Sequence, residues 1–232
     1  MTATPVLQAV SRLDLHVHEW HWPFAHERRD AIAAHFADAR RSKPAMFNGR
    51  MLLARNPRFV GDSFCADYFQ TDFACFLALR DWGFPDRSVF NGFGMGALRT
   101  SDGAFVLGEM GAHTANAGKI YFPAGTPDLN DLRGDIVDIP GSVARETAEE
   151  VGLTPADYRA ADGWDVVTDG SLTAMIRILD VDMPGSALQA RIEANLATQE
   201  DQELSAIHLV RSTADFTETM PRYIRAFLAA KL

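Results

Sequence analysis

The stretch SVARETAEEVGL at 142–153 places Glu146, Glu149 and Glu150 at positions i, i+3 and i+4. A helix with 3.6 residues per turn therefore carries all three carboxylates on one side. Unpaired, they repel one another and weaken the helix by a few tenths of a kcal/mol per pair. Arg145 offsets part of that repulsion. A hard divalent cation such as Mg²⁺ offsets it better, because it takes carboxylate oxygens, keeps water and bridges to phosphate. An acidic helix face is often only solvated, but the neighbours here favour a metal site. Gly152 suits the position just past the helix end, and the tight turn Pro123-Ala124-Gly125 can deliver backbone carbonyls beside the carboxylates.

The elements that must position this helix are legible from periodicity. RLDLHVHEW alternates like a strand, and RRDAIAAHFADARRS sets Ile32, Ala33, Phe36 and Ala37 at helical spacing. Residues 45–70 read as strands separated by the Asn48-Gly49 and Gly61-Asp62 turns, and DFACFLALRDWG as a short helix ended by Gly83. VFNGFGMGALRT and AFVLGEM form a hairpin around Ser101-Asp102-Gly103, followed by the strand KIYFPAG. After the acidic helix come a strand-rich stretch from Trp164 to Met183, the helix SALQARIEANLATQ, the strand LSAIHLV and a closing helix. Strands intermingled with helices imply a mixed sheet covered by helices. FPDRS at 84–88 is the expected joint between an N-terminal α+β subdomain, 1–87, expected to contribute to a substrate pocket, and a second domain, 88–232, that carries the acidic helix.

Composition narrows the class of function. The 232 residues, 47% hydrophobic, suffice for a sizeable core. A net charge of −9, from 22 basic against 31 acidic residues, repels nucleic acid and anionic membrane. An anionic substrate would then need a bridging cation. Two cysteines, Cys65 and Cys75, are too few for a disulfide framework. The N-terminus lacks the pattern of a secretory leader, and no run of about 18 apolar residues occurs, so a soluble cytoplasmic protein is expected.

The segment from Arg145 to Leu153 resembles the tail of the Nudix box, Gly-x5-Glu-x7-Arg-Glu-U-x-Glu-Glu-x-Gly-U, with U aliphatic. Thr147 stands at the first aliphatic position and, being β-branched, can still pack inward. The front of the box departs further: Asp131 and Val137 occupy the places of its Gly and first Glu. If Gly125 is the box glycine, Gly125-x5-Asp131 restores the first half with Asp for Glu and an insertion before the helix. Asp135 and Asp138 are rival stand-ins.

The resemblance implies an α/β/α sandwich with a mixed sheet, and hydrolysis of a nucleoside diphosphate linked to another moiety with Mg²⁺ or Mn²⁺. It makes Glu146 and Glu150 the principal metal ligands, Glu149 a further ligand, and a carbonyl near Ala124 or Gly125 a fourth contact. Arg145 would hold the carboxylates in register. A general base would be one of these glutamates or an acidic residue of a later loop, Glu200 or Glu203.

A narrower resemblance, over 44–153, links KPAMFNGRMLL, YFQTDFACFLAL and MGALRTSDGAFVLGE to the Nudix branch that hydrolyses UDP-glucose and UDP-galactose. It implies a UDP-sugar cleaved to UMP and a sugar 1-phosphate. Phe47 and Asn48, beside Gly49, could stack on and hydrogen-bond a base; Tyr68, Asp72 and Arg99 are further candidates for ligand contact, each with an ordinary structural role as the alternative. The altered front of the box leaves a second reading, a nucleotide-sugar sensor that binds without cleaving. The expected partners are thus a small-molecule nucleotide sugar and, for assembly, a second copy of the chain. His16, His18 and His21 lack the further ligands of a zinc pattern, and NGFGMG at 91–96 lacks the Lys-Ser/Thr of a phosphate loop, so its glycines belong to a close-packed strand.

Overall fold

The computed structural model describes residues 4–44 and 46–232. The first half of the chain runs β1 (Val6–Val10), β2 (Arg12–Val17), α1 (Pro23–Glu27), α2 (Arg29–Ser42), β3 (Arg50–Val60), β4 (Ser63–Asp72) and α3 (Phe73–Asp81). The second runs β5 (Val89–Thr100), β6 (Phe105–Met110), β7 (Ile120–Tyr121), β8 (Ala124–Gly125), β9 (Leu132–Arg133), β10 (Ile136–Val137) and α4 (Ile139–Val151). It closes with β11 (Arg159–Ala160), β12 (Trp164–Asp169), β13 (Leu172–Val181), α5 (Gly185–Leu196), β14 (Leu204–Val210) and α6 (Arg222–Lys231).

Among the described residues 14 strands join one mixed sheet, in the order β1-β12-β13-β5-β3-β4-β2-β10-β9, with β6, β8 and β14 branching beside β5. β5 and β13 pair in parallel from Asn91↔Leu172 to Thr100↔Val181, and β2 and β4 also run parallel. The two halves meet where β3 pairs antiparallel with β5, at Ala54↔Phe90 and Arg55↔Val89. Each half also lends strands to the other. β1 pairs with β12, and the β9–β10 hairpin reaches back to β2 at Ile136↔His16. Three strand pairings, β1–β12, β2–β10 and β3–β5, thus cross the 87/88 position.

Helices cover both faces of the sheet around β5. Cβ atoms added at Gly94 and Gly96 would strike Val143, Ile139 and Thr147, so these glycines let α4 lie close on one face. Phe93, of opposite parity, meets Tyr223 of α6 on the other face, ring centroids 5.8 Å apart. This is the α/β/α layering that the resemblance implied, and the glycines of NGFGMG serve close packing. In the N-terminal half α3 packs Phe76 and Leu79 against Met51, Leu53 and Phe69 of the sheet. No helix of the described residues is long and apolar enough to cross a membrane.

Candidate functional site

α4 begins three residues before the expected acidic run. Asp138 caps it by accepting a hydrogen bond from the Gly141 N–H, Pro140 lies in its first turn, and Gly152 ends it at φ 70°. Its apolar face, Ile139, Val143, Thr147 and Val151, is buried. Thr147 turns its hydroxyl to the Val143 carbonyl at 2.7 Å, so the departure from an aliphatic residue leaves no unsatisfied group.

This anchoring settles where the acidic side chains lie. Glu150 is only 6% exposed and its Oε1 accepts from the Ala124 backbone N–H at 3.3 Å. Glu146 is mostly buried and presses on Gly125, where any Cβ would overlap its carboxylate. A glycine is needed there for close approach, whatever its backbone angles. Glu149 is different: its side chain is 60% exposed and meets Arg145 at 3.3 Å. The three carboxylates share a side of the helix, but the tight cradle is Glu146, Glu150 and the Ala124-Gly125 backbone.

The environment shifts both buried glutamates in one direction. Desolvation pushes Glu150 well above the usual carboxylate range, the Ala124 N–H opposes it, and Glu146, Glu203 and Glu149 add repulsion. Glu146 is also raised, chiefly by burial and secondarily by Glu149 and Glu203, against the pull of Arg145. Burial that keeps carboxylates from ionising easily is a strain that a cation would relieve.

Arg145 organises the cluster. One guanidinium nitrogen donates to Glu146 at 2.7 Å and to Glu149 at 3.3 Å, while the other donates to both oxygens of Asp131, at 3.2 and 3.1 Å. Asp131 is almost fully buried, in the short 3-10 turn Leu129–Asp131. The three rival stand-ins for the missing box glutamate are thereby separated. Asp131 holds the arginine, Asp138 caps α4, and Asp135 pairs with His16 at 3.1 Å on the surface.

Glu203 belongs to this group, because its charge bears on both Glu146 and Glu150 and it lines the adjoining cavity. Its position is held from the Gly111 N–H to its own carbonyl, at 2.7 Å. Glu200 lines no part of that cavity. The cavity, about 500 Å³, is bounded by Ala124, Gly125, Asn91 and Tyr121, and by side chains of α3 and α6.

The residues expected to bind substrate do not gather there. Phe47 is 82% exposed. Asn48 accepts from the Ala74 N–H at 2.7 Å and so caps α3, while Asp72, at the start of that helix, pairs with Arg50 at 3.0 Å. Tyr68 is fully buried, its hydroxyl donating to the Gly92 carbonyl at 3.1 Å. Arg99 is held by Asp180 at 2.7 Å. Packing and pairing occupy each of these groups except Phe47. Phe73, Phe76 and Arg80 of α3, and the following Phe84, line the cavity from the N-terminal part of the chain; sequence reasoning named none of them, and the aromatic spacing of DFACFLALRDWGF was their signal.

As a metal site the donor set fits in kind: hard carboxylate oxygens, a close backbone approach, and burial that disfavours bare charge. Among the described residues no three His, Cys, Asp or Glu side chains converge as a ready-made cage. Arg145 takes part of the carboxylate oxygen that a cation would use. His16 and His18 stack at 6.4 Å, and His16 is engaged by Asp14 and Asp135.

No protein-family model and no curated protein matches the chain. Solved structures offer distant likenesses. A MutT protein from Methanosarcina mazei Go1 is 21% identical, covering 61% of this chain and 91% of that one, with TM-score 0.38. The Nudix hydrolase RenU from M. smegmatis is 17% identical, covering 53% and 73%, with TM-score 0.33. A pyrophosphohydrolase from Bacillus subtilis is 15% identical, covering 55% and 65%, with TM-score 0.31. At these scores the likenesses decide nothing, and the functional reading rests on sequence motif and site geometry.

Proposed function

We propose that this chain is a metal-dependent pyrophosphohydrolase of the Nudix type, acting on a nucleoside diphosphate-linked substrate, with a nucleotide sugar such as UDP-glucose as the first candidate. The products would be a nucleoside monophosphate and a sugar 1-phosphate. The observation that carries the reading is the pair of buried α4 carboxylates, Glu146 and Glu150, set against the Ala124-Gly125 backbone. It gains support from Arg145 and Asp131, which join the two parts of the interrupted motif through a two-pronged ion pair.

In this reading Glu146 and Glu150 would hold Mg²⁺ or Mn²⁺ together with the Gly125 carbonyl, and Glu149 would serve as a further ligand. The cation, when bound, neutralises the diphosphate and lowers the pKa of water. Arg145 fixes the Glu146 carboxylate, and Asp131 fixes Arg145, so that the ligands are held before substrate arrives. Glu203, at the cavity edge, takes the proton from the attacking water.

The test is release of nucleoside monophosphate from a nucleotide-sugar panel with Mg²⁺ or Mn²⁺. Wild-type turnover that Glu150→Gln leaves intact would reject the reading. The sensor alternative is favoured by Arg145 lying on the Glu146 and Glu149 oxygens; binding without product over long incubation would select it.

A further inference from the structure

The cavity beside Gly125 is walled by rings from both halves of the chain. Phe73 and Phe76 of α3 lie 6.2 Å apart, and Phe93 of β5 meets Tyr223 of α6 at 5.8 Å. Several of its polar side chains are engaged with protein partners, and His113 and Glu203 also line it. Asn91 and Thr126 hydrogen-bond to each other, Asn116 donates to the Tyr121 hydroxyl at 3.1 Å, and Arg80 donates to Asp81 at 2.9 Å. What such a cavity offers a ligand is mainly π faces. A hexose, with a hydroxyl on most carbons, would leave several of its polar groups unpaired there.

Phe84 adds an independent observation. It lines the cavity with its backbone at φ 55°, a conformation that is an outlier for a bulky side chain. The chain reaches it through Gly83 at φ 76°, and the Phe84 N–H is fixed to the Leu79 carbonyl at 2.7 Å as α3 ends. Glycine or asparagine would adopt this conformation at less cost. A strained phenylalanine is maintained where its ring joins the cavity wall, and such strain gathers at ligand clamps.

We infer that this aromatic cavity seats the nucleobase of the substrate, with Phe84 and Phe73 as its specificity-determining side chains. The α3 segment, rather than the FNG turn at 47–49, then selects the base. The inference rests on the proposed function for the word substrate, but its test does not need turnover. UMP and AMP are titrated calorimetrically into wild type, Phe84→Asn and Phe73→Leu in the presence of Mg²⁺, with glucose 1-phosphate as the probe that lacks a base.

Phe84→Asn suits the local backbone, and Phe73→Leu keeps an apolar helix residue, so a thermal midpoint can verify that each variant is folded. The expected result is that wild type binds at least one of the two nucleotides, and that each variant binds it about tenfold more weakly, the loss of one base–ring stack. Glucose 1-phosphate should bind all three proteins alike. Equal nucleotide affinity in folded variants, no nucleotide binding by wild type, or a parallel loss for glucose 1-phosphate would overturn the inference. Hydrolysis without this pattern would leave the proposed function standing and remove only the base pocket, while the pattern without hydrolysis would do the reverse.

Discussion

Two charged clusters tie the segment inserted before α4 to the body of the molecule, and they differ in almost every physical respect. At one end Asp131 is 4% exposed and grips Arg145, which in turn bridges Glu146 and Glu149. At the other end Asp135 is exposed and meets His16, which also faces Asp14. Burial pushes Glu146 and the neighbouring Glu150 upward, whereas in the second His16 lowers Asp135 and is itself raised, first by Asp135 and then by Asp14. The same residue types therefore do different work. Desolvation stores unfavourable charge that a bound cation can relieve, while the solvated pair does little more than hold a hairpin in place.

The largest expected effect that would sharpen this contrast is on turnover. Glu150→Gln should reduce hydrolysis by more than about 100-fold, a loss beyond that of a residue merely supporting a metal ligand. His16→Gln should leave turnover close to wild type. Steady-state release of nucleoside monophosphate separates the two.

Stability comes next. Arg145→Ala leaves the buried Asp131 carboxylate without its cation and should cost about 2–3 kcal/mol, below a fully buried pair because Arg145 is 35% exposed. Adding Asp131→Asn should recover part of that loss, since the stranded charge is then gone. Urea denaturation of the three variants measures this, and equal midpoints for wild type and Arg145→Ala would break the comparison.

The pH dependence is smaller and has a definite sign. Glu146 and Glu150 have folded pKa values raised above the ordinary 4.5. Their contribution to stability is complete below that value and is lost as pH rises through the raised folded values. Metal-free protein should therefore lose thermal stability between about pH 5 and about pH 8 more steeply than Glu150→Gln, and divalent cation at the higher pH should restore it. Parallel curves for the two proteins would contradict the assignment.

The weakest effect belongs to the surface cluster. His16 is raised from 6.5 and contributes below that pH, losing its contribution as pH rises through the raised value; Asp135 is lowered from 3.8 and contributes above that pH, losing its contribution as pH falls through the lowered value. His16→Gln should lower the thermal midpoint slightly near pH 6 and not measurably at about pH 9. A loss at high pH as large as that of Arg145→Ala would erase the distinction between the clusters.

The same contrast explains what could be read from the sequence. α4, α3 and the longer hairpins announce themselves through periodicity and turn residues, and the carboxylate spacing on α4 survives in the structure. β1 was not legible because its pairing with β12 links Val6 to Thr168 across the chain. The two-residue strands β9 and β10 leave only the Gly134-Asp135 turn as a signal. Chemical type also says little about burial. Tyr68, Asn48 and Arg99 carry groups suited to a ligand, but the fold uses them for a carbonyl, a helix cap and an ion pair. Phe84 was passed over because a helix-ending glycine gives no hint that the next residue also takes a positive φ.

Whether the buried glutamates of α4 receive a divalent ion is tested most directly by Mn²⁺ binding, followed by electron paramagnetic resonance on wild type and on Glu146→Gln/Glu150→Gln. The account predicts a saturable Mn²⁺ site in wild type that disappears in the folded double variant. The same affinity and spectrum in both proteins would contradict it.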